Sequence, residues 1–172
     1  MTLAFLRGDR VALRPVETDD AAFLAGLVND PRVREHVGMC RPVPLHDERA
    51  WIEDHDGTHL MVTADGEPVG SVGVDEPDEP WGVAEIGYSI VPDAQDGGYA
   101  TEAVGLLAGY AFDEQRVAKL AAKVYETNPA SVRVLEKVGF EREGVLRREA
   151  FVEGERVDVY RYGLLAAEHE LE

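Results

Sequence analysis

Residues 90–104 have the residue types and spacing best suited to hold a phosphate group. A run of strand-forming residues stops at Pro92, which has no N–H to continue a sheet. Gly97 and Gly98 follow, and because glycine lacks a Cβ, a ligand can approach their backbone N–H groups closely. An apolar helical face begins at once, formed by Ala100, Val104, Leu107, Ala108 and Ala111. A helix that opens on a glycine loop presents unpaired N–H groups and a positive dipole end, so this stretch predicts a phosphate or pyrophosphate site.

The spacing within this loop excludes two common phosphate-binding motifs. No Gly-Lys-Ser/Thr follows the glycines, and the dinucleotide pattern Gly-x-Gly-x-x-Gly is absent. The loop does match Gln/Arg-x-x-Gly-x-Gly/Ala, through Gln95, Gly98 and Ala100. This pattern resembles the acetyl-CoA pyrophosphate loop of the GNAT (GCN5-related) N-acetyltransferases. The loop alone leaves open an ordinary strand-to-helix turn, because short patterns with two glycines are common.

Length and composition predict one domain spanning residues 1–172, with 45% hydrophobic residues as in a soluble globular protein. No apolar run approaches the roughly 20 residues that a membrane span needs, so no membrane association is expected. The first ten residues lack the basic-then-apolar order of a signal peptide. Cys40 is the only cysteine, which excludes an internal disulfide and favours a partly buried thiol over a nucleophile. A cytoplasmic protein is therefore expected.

The net charge of −17 is spread along the whole chain. Three lysines, Lys119, Lys123 and Lys137, stand against fourteen arginines. A polyanion would be repelled, so nucleic acid is disfavoured as a direct ligand. Two explanations remain: a cationic substrate, or adaptation of the surface to a high-salt cytosol in which screening removes self-repulsion. The second is favoured, because a substrate would need only a local acidic patch.

His55 and His59 have the four-residue spacing of a helical metal pair, with His46 upstream. Gly57 lies between them and breaks the helix, and no fixed carboxylate follows. The sequence therefore predicts no metal site.

The remaining pattern predicts a mixed α/β domain of the α+β kind, in which early strands run together and later ones alternate with helices. Strands are expected at residues 11–15, 60–63, 68–74, 83–91, 120–125, 145–146, 151–152 and 157–165. Thr18 is a predicted N-cap for a helix that ends before Pro31. A helix over residues 45–55 is predicted to turn Ala50, Trp51 and Ile52 inward. Asn128 as N-cap with proline next to it predicts another helix, which stops at Gly139.

Several motifs in order resemble the RimJ/RimL-like branch of the GNAT family, the ribosomal-protein N-terminal acetyltransferases and their relatives. They are residues 10–15 with 19–20, 85–88, the Gln95 loop with 99–103, Asn128-x-x-Ser131, 134–140, 143–144 and Asp158. The resemblance implies a mixed, mostly antiparallel twisted sheet, flanked by helices and splayed beside residues 86–91. Acetyl-CoA would lie in that V-shaped opening, as the acetyl donor and without a metal.

The resemblance also implies which groups hold acetyl-CoA. Backbone groups of Ile90 and Val91 would bind the pantetheine and the acetyl carbonyl. Gln95 belongs to the loop motif, and Asn128 would contact the cofactor as well as cap its helix. The pyrophosphate would lie on backbone amides of Asp96, Gly97, Gly98, Tyr99, Ala100 and Thr101.

The implied reaction is direct attack of a neutral amine on the thioester. It requires loss of an ammonium proton, stabilisation of an oxyanion and protonation of the departing thiolate. Glu85 is the candidate for the first task, against the alternative of a strand carboxylate in a surface ion pair. Ser131 is the candidate for the last, against a serine that only bonds the helix backbone. Many GNATs carry a tyrosine acid where this sequence has Leu135, which cannot donate a proton.

The predicted function is thus acetyl-CoA-dependent N-acetylation of a primary amine, by a monomer or homodimer. The ribosomal-protein branch favours a protein N-terminal α-amine as acceptor. A small amine such as a polyamine, amino acid or aminoglycoside is the alternative within the same chemistry. A non-catalytic acyl-CoA-binding module is the alternative from another class.

Overall fold

The computed structural model describes residues 3–169 of the chain. Eight strands form one sheet in the order β1-β2-β3-β4-β5-β6-β8-β7. All neighbours are antiparallel except β5 and β6, which are parallel, so the expected mixed, mostly antiparallel sheet is confirmed. The strands are β1 (Leu6–Arg7), β2 (Ala12–Pro15), β3 (Thr58–Ala64), β4 (Glu67–Val74), β5 (Val83–Ile90), β6 (Lys119–Tyr125), β7 (Glu141–Val152) and β8 (Glu155–Leu165).

Five α-helices flank the sheet in the described range: α1 (Ala21–Asn29), α2 (Pro31–Val37), α3 (Leu45–Glu53), α4 (Tyr99–Asp113) and α5 (Pro129–Val138). Pro31 and Pro129 occupy first helical turns, where a missing N–H costs nothing. Asp30 and Asn128 cap these two helices with their side chains. No helix of residues 3–169 is long and apolar enough to cross a membrane.

The main core lies between α4 and the sheet. Val104, Leu107, Ala108 and Ala111 of α4 are fully buried, and Ala100 is partly buried, as the spacing predicted. They pack with strand residues of even number, including Leu60, Val62, Ala84, Ile86, Leu120, Ala122 and Leu164. Successive strand residues point to opposite faces, so odd-numbered residues of β3, β5 and β6 face the other side of the sheet.

The sheet splits between β5 and β6. These strands pair only through Val83 with Lys119, Ala84 with Leu120 and Glu85 with Ala121. Further along, β5 remains bonded to β4, and β6 remains bonded to β8. A V-shaped gap therefore opens at Glu85 and widens toward the C-terminal ends of both strands.

Two local predictions were wrong. Thr18 does not cap α1, because residues 18–20 form a 3-10 turn that begins after Glu17. Asp20, buried to 8% exposure, closes that turn by accepting from the Glu17 N–H, and it pairs with Arg14 at 2.8 Å. Burial alone would raise the pKa of Asp20, but these two donors hold it below its ordinary value.

Helix α3 also turns a different side inward. Ala50 and Trp51 are exposed, Ile52 is only partly buried, and the buried residue is Glu48. Trp51 stacks on His55 at a centroid distance of 4.7 Å, and its edge meets His59. Aromatic packing on the imidazoles therefore explains these two histidines, and no group of three metal-ligating side chains occurs within residues 3–169.

Candidate active site

A single cavity of about 810 Å³ occupies the gap between β5 and β6. On one side of the sheet it is lined by the start of α4 and by α5. On the other side it is lined by Arg32, Val33, His36 and Val37 of α2. The cavity therefore passes through the sheet, and two different molecules can enter it from opposite faces and meet beside β5.

The start of α4 is an open anion-binding site. Asp96 and Gly98 both adopt left-handed backbone conformations, with φ of 68° and 79°, so the N–H groups of the loop turn toward one side. Gly98 precedes the helix without offering a side-chain cap. The N–H groups of residues 96–101 donate to no acceptor in the described part of the chain. Six consecutive free donors at a helix N-terminus fit a pyrophosphate.

The segment before β2 holds this loop in place. Arg10 donates from Nη1 to the Gly97 carbonyl and from Nε to Glu102 at 3.3 Å. Oε1 of Glu102 also accepts from the Arg10 N–H at 2.8 Å and the Val11 N–H at 3.1 Å. Burial raises the pKa of Glu102, but these donors outweigh it and leave the pKa below its ordinary value. A charged tether 92 residues away in sequence thus fixes the first turn of α4.

The loop itself gives a second reason for glycine at position 98. The sequence suggested that a Cβ here would exclude a ligand. In the structure a Cβ at Gly98 would run into the guanidinium of Arg10, and the φ of 79° is itself unfavourable for other residues. Gly98 therefore shapes the loop rather than simply leaving space for a bound group.

The end of β5 supplies backbone groups to the gap. The Asp75 N–H donates to the Glu85 carbonyl and the Val91 N–H donates to the Val69 carbonyl, so odd-numbered residues of β5 bond to β4. The alternation of an antiparallel ladder turns the backbone groups of residues 86, 88 and 90 toward the gap. Nε2 of Gln95 already donates to the Ile90 carbonyl at 3.0 Å. Because the Ile90 carbonyl is already bonded to Gln95, the Ile90 N–H is the group at this strand end that remains free to donate into the gap.

The backbone groups of Val91, which were predicted to bind the pantetheine and the acetyl carbonyl, are bonded within the protein. Its N–H is used by Val69 and its carbonyl accepts from the Ala94 N–H at 3.0 Å. Val91 and Gly97 do not line the cavity, whereas the other ten predicted site residues do. Those ten are Glu85, Ile90, Gln95, Asp96, Gly98, Tyr99, Ala100, Thr101, Asn128 and Ser131.

The start of α5 brings two hydroxyl groups together. Oδ1 of Asn128 accepts from the Ser131 N–H at 3.2 Å, which fixes the first turn. Ser131 Oγ lies 2.5 Å from the hydroxyl of Tyr88, and the same hydroxyl donates to the Ser131 carbonyl at 3.2 Å. Burial raises the pKa of Tyr88 to about 12, so this phenol is neutral across the physiological range. Leu135, one turn later, is buried in the core.

Glu85 lies at the vertex of the gap. It is the last residue of β5 that pairs with β6, and its side chain is exposed on the face opposite the core helix α4. Tyr88 has an even number and lies on the α4 and α5 side. The predicted base and the paired hydroxyls therefore approach the gap from opposite faces of one strand.

Charged side chains of both signs line the cavity. On the side of α5, Arg133 and Lys137 lie one helical turn apart and both line it, as a polyphosphate would require. The rest of the lining carries Glu85, Asp96, Glu149, Arg32, Lys123 and His36, and Arg32 is already paired with Asp30 at 2.9 Å. With three carboxylates against four Lys and Arg side chains, the whole lining has no excess of acid, although the chain carries −17.

Sequence reasoning missed Tyr88, Arg10 and the basic pair on α5 as parts of this site. The four-residue spacing of Arg133 and Lys137 after Asn128 was a usable signal. Tyr88 belongs to the motif at residues 85–88, but nothing local marks its contact with Ser131, which lies 43 residues away.

Comparison with known proteins identifies the family. Residues 10–141 match the family model described as "Acetyltransferase (GNAT) domain". The chain belongs to the GNAT acetyltransferases. The expected fold is thereby confirmed, and the protein is an acyltransferase that uses acetyl-CoA and no metal.

The names of individual relatives differ in whether they state an acceptor. An uncharacterized N-acetyltransferase p20 of Bacillus licheniformis is 29% identical over 94% of this chain and 96% of its own. The spermidine N(1)-acetyltransferase of Escherichia coli K12 is also 29% identical, over 91% of this chain and 89% of its own. The structure of Mycobacterium smegmatis RimJ in complex with CoA-disulfide superposes with a TM-score of 0.79 at 26% identity, over 92% of this chain and 83% of that one.

Proposed function

We propose that this acetyltransferase belongs to the RimJ/RimL-like branch and acetylates the N-terminal α-amine of a protein. The supporting observation is the cavity that crosses the sheet, with a donor mouth beside α4 and α5 and an acceptor mouth beside α2. A peptide α-amine carries one positive charge. It suits a cavity whose lining includes the carboxylate of Glu85 but has no overall excess of acid.

The donor mouth suits acetyl-CoA group by group. The pyrophosphate is placed on the free N–H groups of residues 96–101, and Arg133 with Lys137 face the remaining phosphate. The pantetheine then runs along the open edge of β5. The Ile90 N–H donates toward the acetyl carbonyl, where negative charge develops during attack. Val91, whose backbone groups are bonded elsewhere, contributes only by placing Ile90.

The reaction takes place where the two mouths meet. Glu85 removes a proton from the incoming ammonium, directly or through water, so that a neutral amine reaches the thioester. The amine nitrogen bonds to the carbonyl carbon, the C–S bond breaks, and the sulfur leaves with the electron pair beside Ser131. The nitrogen loses its second proton to water. Holding both reactants in one gap supplies a further large part of the rate.

Polyamine acetylation is the second candidate function. It is favoured by the relative that is a spermidine N(1)-acetyltransferase. The structure favours it less, because a polyamine with several charges requires an excess of carboxylates, and the cavity is lined by three carboxylates against four Lys and Arg side chains. A non-catalytic acyl-CoA-binding module is disfavoured, because Glu85 and Ser131 both line the cavity.

Release of free thiol from acetyl-CoA, measured with a panel of acceptors, tests the proposal. The panel contains peptides with free N-termini, the same peptides with blocked N-termini, spermidine, spermine, free amino acids and an aminoglycoside. The proposal predicts turnover with the free peptides and none with the blocked ones. Faster turnover with spermidine than with every peptide would replace the N-terminal acceptor by a polyamine.

We also propose that the whole chain is one cytoplasmic domain, monomeric or homodimeric, with a surface adapted to high salt. The chain has 34 acidic and 17 basic residues, and the excess of acid is dispersed. Screening by salt should relieve repulsion among these charges. The melting temperature is therefore expected to rise from low to molar salt. A melting temperature that stays flat or falls as salt is added would mean that the acidic residues serve locally to bind a cationic substrate.

A further inference from the structure

The pair formed by Tyr88 and Ser131 is a feature of the cavity that the sequence motifs do not explain. Both residues line it, and their hydroxyl oxygens are 2.5 Å apart. The contact joins β5 to the first turn of α5 across 43 residues of sequence. The partly buried Tyr88 phenol has one proton, and two oxygens of Ser131 lie within its reach, the carbonyl at 3.2 Å and Oγ at 2.5 Å. The contact between the two hydroxyls is the shorter one.

We propose that Tyr88 is a positioning residue that aims the Ser131 hydroxyl at the departing sulfur and so stabilises the thiolate leaving group. This inference rests on the proposed acetyl transfer. When Tyr88 donates to Ser131 Oγ, the serine proton is free to point into the cavity. Asn128 fixes the other side of the arrangement by accepting from the Ser131 N–H. Ser131 is thus held at its N–H by Asn128 and at its hydroxyl by Tyr88.

The departing sulfur needs a hydrogen-bond donor beside it rather than an acid. A thiol has a pKa of about 8.5, and an alcohol is a far weaker acid, so a thiolate does not take a proton from serine at equilibrium. In the balanced step, nitrogen bonds to carbon and the C–S bond breaks. Sulfur then leaves with the electron pair, and its charge is met by the Ser131 O–H. Glu85 already holds the proton removed from the ammonium, so the second proton leaves the nitrogen for water, and the thiolate later takes a proton from solvent.

This arrangement accounts for Leu135. That position holds a tyrosine acid in many members of the family, and here it is fully buried and apolar. Tyr88 instead reaches the first turn of α5 from strand β5, at Ser131. Its pKa of about 12 keeps it protonated, so it can donate to Ser131 throughout the working pH range.

The test is the pKa of the thiol of bound CoA, followed by the absorbance of the thiolate. The wild-type complex is expected to lower that pKa by about one unit, because a hydrogen bond to a charged group is stronger than one to a neutral group. Tyr88→Phe keeps the ring and removes the hydroxyl. It should return most of the shift and lower kcat about tenfold, while the Kd for acetyl-CoA, which carries no thiolate, stays unchanged.

Three further proteins complete the design. Ser131→Ala should abolish the shift, and Tyr88→Phe added to Ser131→Ala should change nothing more, because Tyr88 acts through Ser131. Tyr110→Phe is the matched control, since that tyrosine packs on the core outside the cavity and meets Phe5 edge-on. It should leave the pKa of bound CoA as in the wild type.

The outcomes separate this inference from the function on which it rests. Failure of CoA and acetyl-CoA to bind would overturn the proposed function. Binding of CoA with an ordinary thiol pKa, or an equal effect of Tyr88→Phe with and without Ser131, would overturn the role of Tyr88 alone.

Discussion

Helices α4 and α5 both begin at the same cavity, and their N-termini are built in opposite ways. The first turn of α4 follows a left-handed glycine, has no side-chain cap and leaves the N–H groups of residues 96–101 free. The first turn of α5 is closed by Asn128, which accepts from the Ser131 N–H, and by Pro129, which has no N–H. The N–H groups at the start of α4 are left free for a ligand, whereas the start of α5 is capped by the protein's own residues.

The two kinds of helix N-terminus suit different functions. An open N-terminus binds an anion through backbone groups, so its binding strength depends on charge and little on side-chain identity. A capped N-terminus cannot bind an anion in the same way, but it fixes the direction of the side chain at its third helical position, Ser131. The open end is therefore assigned to binding of the donor, and the capped end to the chemical step.

The largest effect is expected between the two helix ends, at Glu85. Glu85→Gln should keep the affinity for acetyl-CoA and lower turnover by roughly 10²–10⁴-fold, as for a lost general base. The loss should be greatest at low pH, where the acceptor is ammonium, and smaller as pH approaches the pKa of the amine. Steady-state rates across pH, with calorimetric affinities, measure both quantities. Wild-type turnover of Glu85→Gln at neutral pH would remove Glu85 from the mechanism.

The open end of α4 can be closed with a carboxylate. Thr101→Asp places a negative charge in the first turn, where it stabilises the helix but repels a pyrophosphate. Unit charges 4 Å apart interact by about 1 to 4 kcal/mol near a protein surface, so the Kd for acetyl-CoA should rise at least fivefold. Calorimetric titration measures it, and thermal unfolding should show equal or higher stability.

Ala22→Asp is the matched control for that substitution. Ala22 is exposed in the first turn of α1, and it does not line the cavity. It should gain similar stability with an unchanged Kd. Equal affinities of the two variants would mean that the start of α4 holds no phosphate.

Asn128 tests the capped end. Asn128→Ala removes the cap of α5 and should cost about 0.5–2 kcal/mol of unfolding free energy. Because Ser131 is then less well fixed, kcat should also fall. Asn128→Asp keeps a good cap and should restore the stability, as chemical denaturation would show. A stable Asn128→Ala protein with full kcat would contradict the positioning role of this cap.

The sequence predicted the two helix ends unequally well, and distance along the chain explains why. The cap of α5 involves Asn128 and Ser131, three residues apart, and could be predicted from residue types alone. The tether of α4 joins Arg10 to Glu102 over 92 residues, and only the folded sheet brings them together. The contact of Tyr88 with Ser131 was invisible for the same reason.

The wrong predictions have a related cause. Helix α3 was oriented by its apolar residues, yet Trp51 found its partner in His55 at the surface, and packing against α1 buried Glu48 instead. The mostly antiparallel sheet and its splay beside residues 86–91 followed from the resemblance to a known family. Composition and periodicity alone predicted only a mixed α/β domain.

The smallest expected effect concerns the tether of the open end. The pKa of Glu102 is lowered in the folded protein, so its contribution to stability is present above the unfolded pKa of about 4.3 and is lost as pH falls through the lower folded value. Glu102→Gln should flatten this part of the stability profile below about pH 4.3. Thermal unfolding from pH 3 to pH 6 would show it. An unchanged profile would mean that the tether contributes nothing.

The central claim is that the start of α4 binds the donor and the start of α5 serves the chemical step. It is tested most directly by one calorimetric titration of acetyl-CoA, carried out in parallel on the wild type, Thr101→Asp and Ser131→Ala. The expected result is a raised Kd for Thr101→Asp and a wild-type Kd for Ser131→Ala, whose turnover is nevertheless reduced. A wild-type Kd for Thr101→Asp together with a raised Kd for Ser131→Ala would contradict the account, because donor binding would then belong to the capped end.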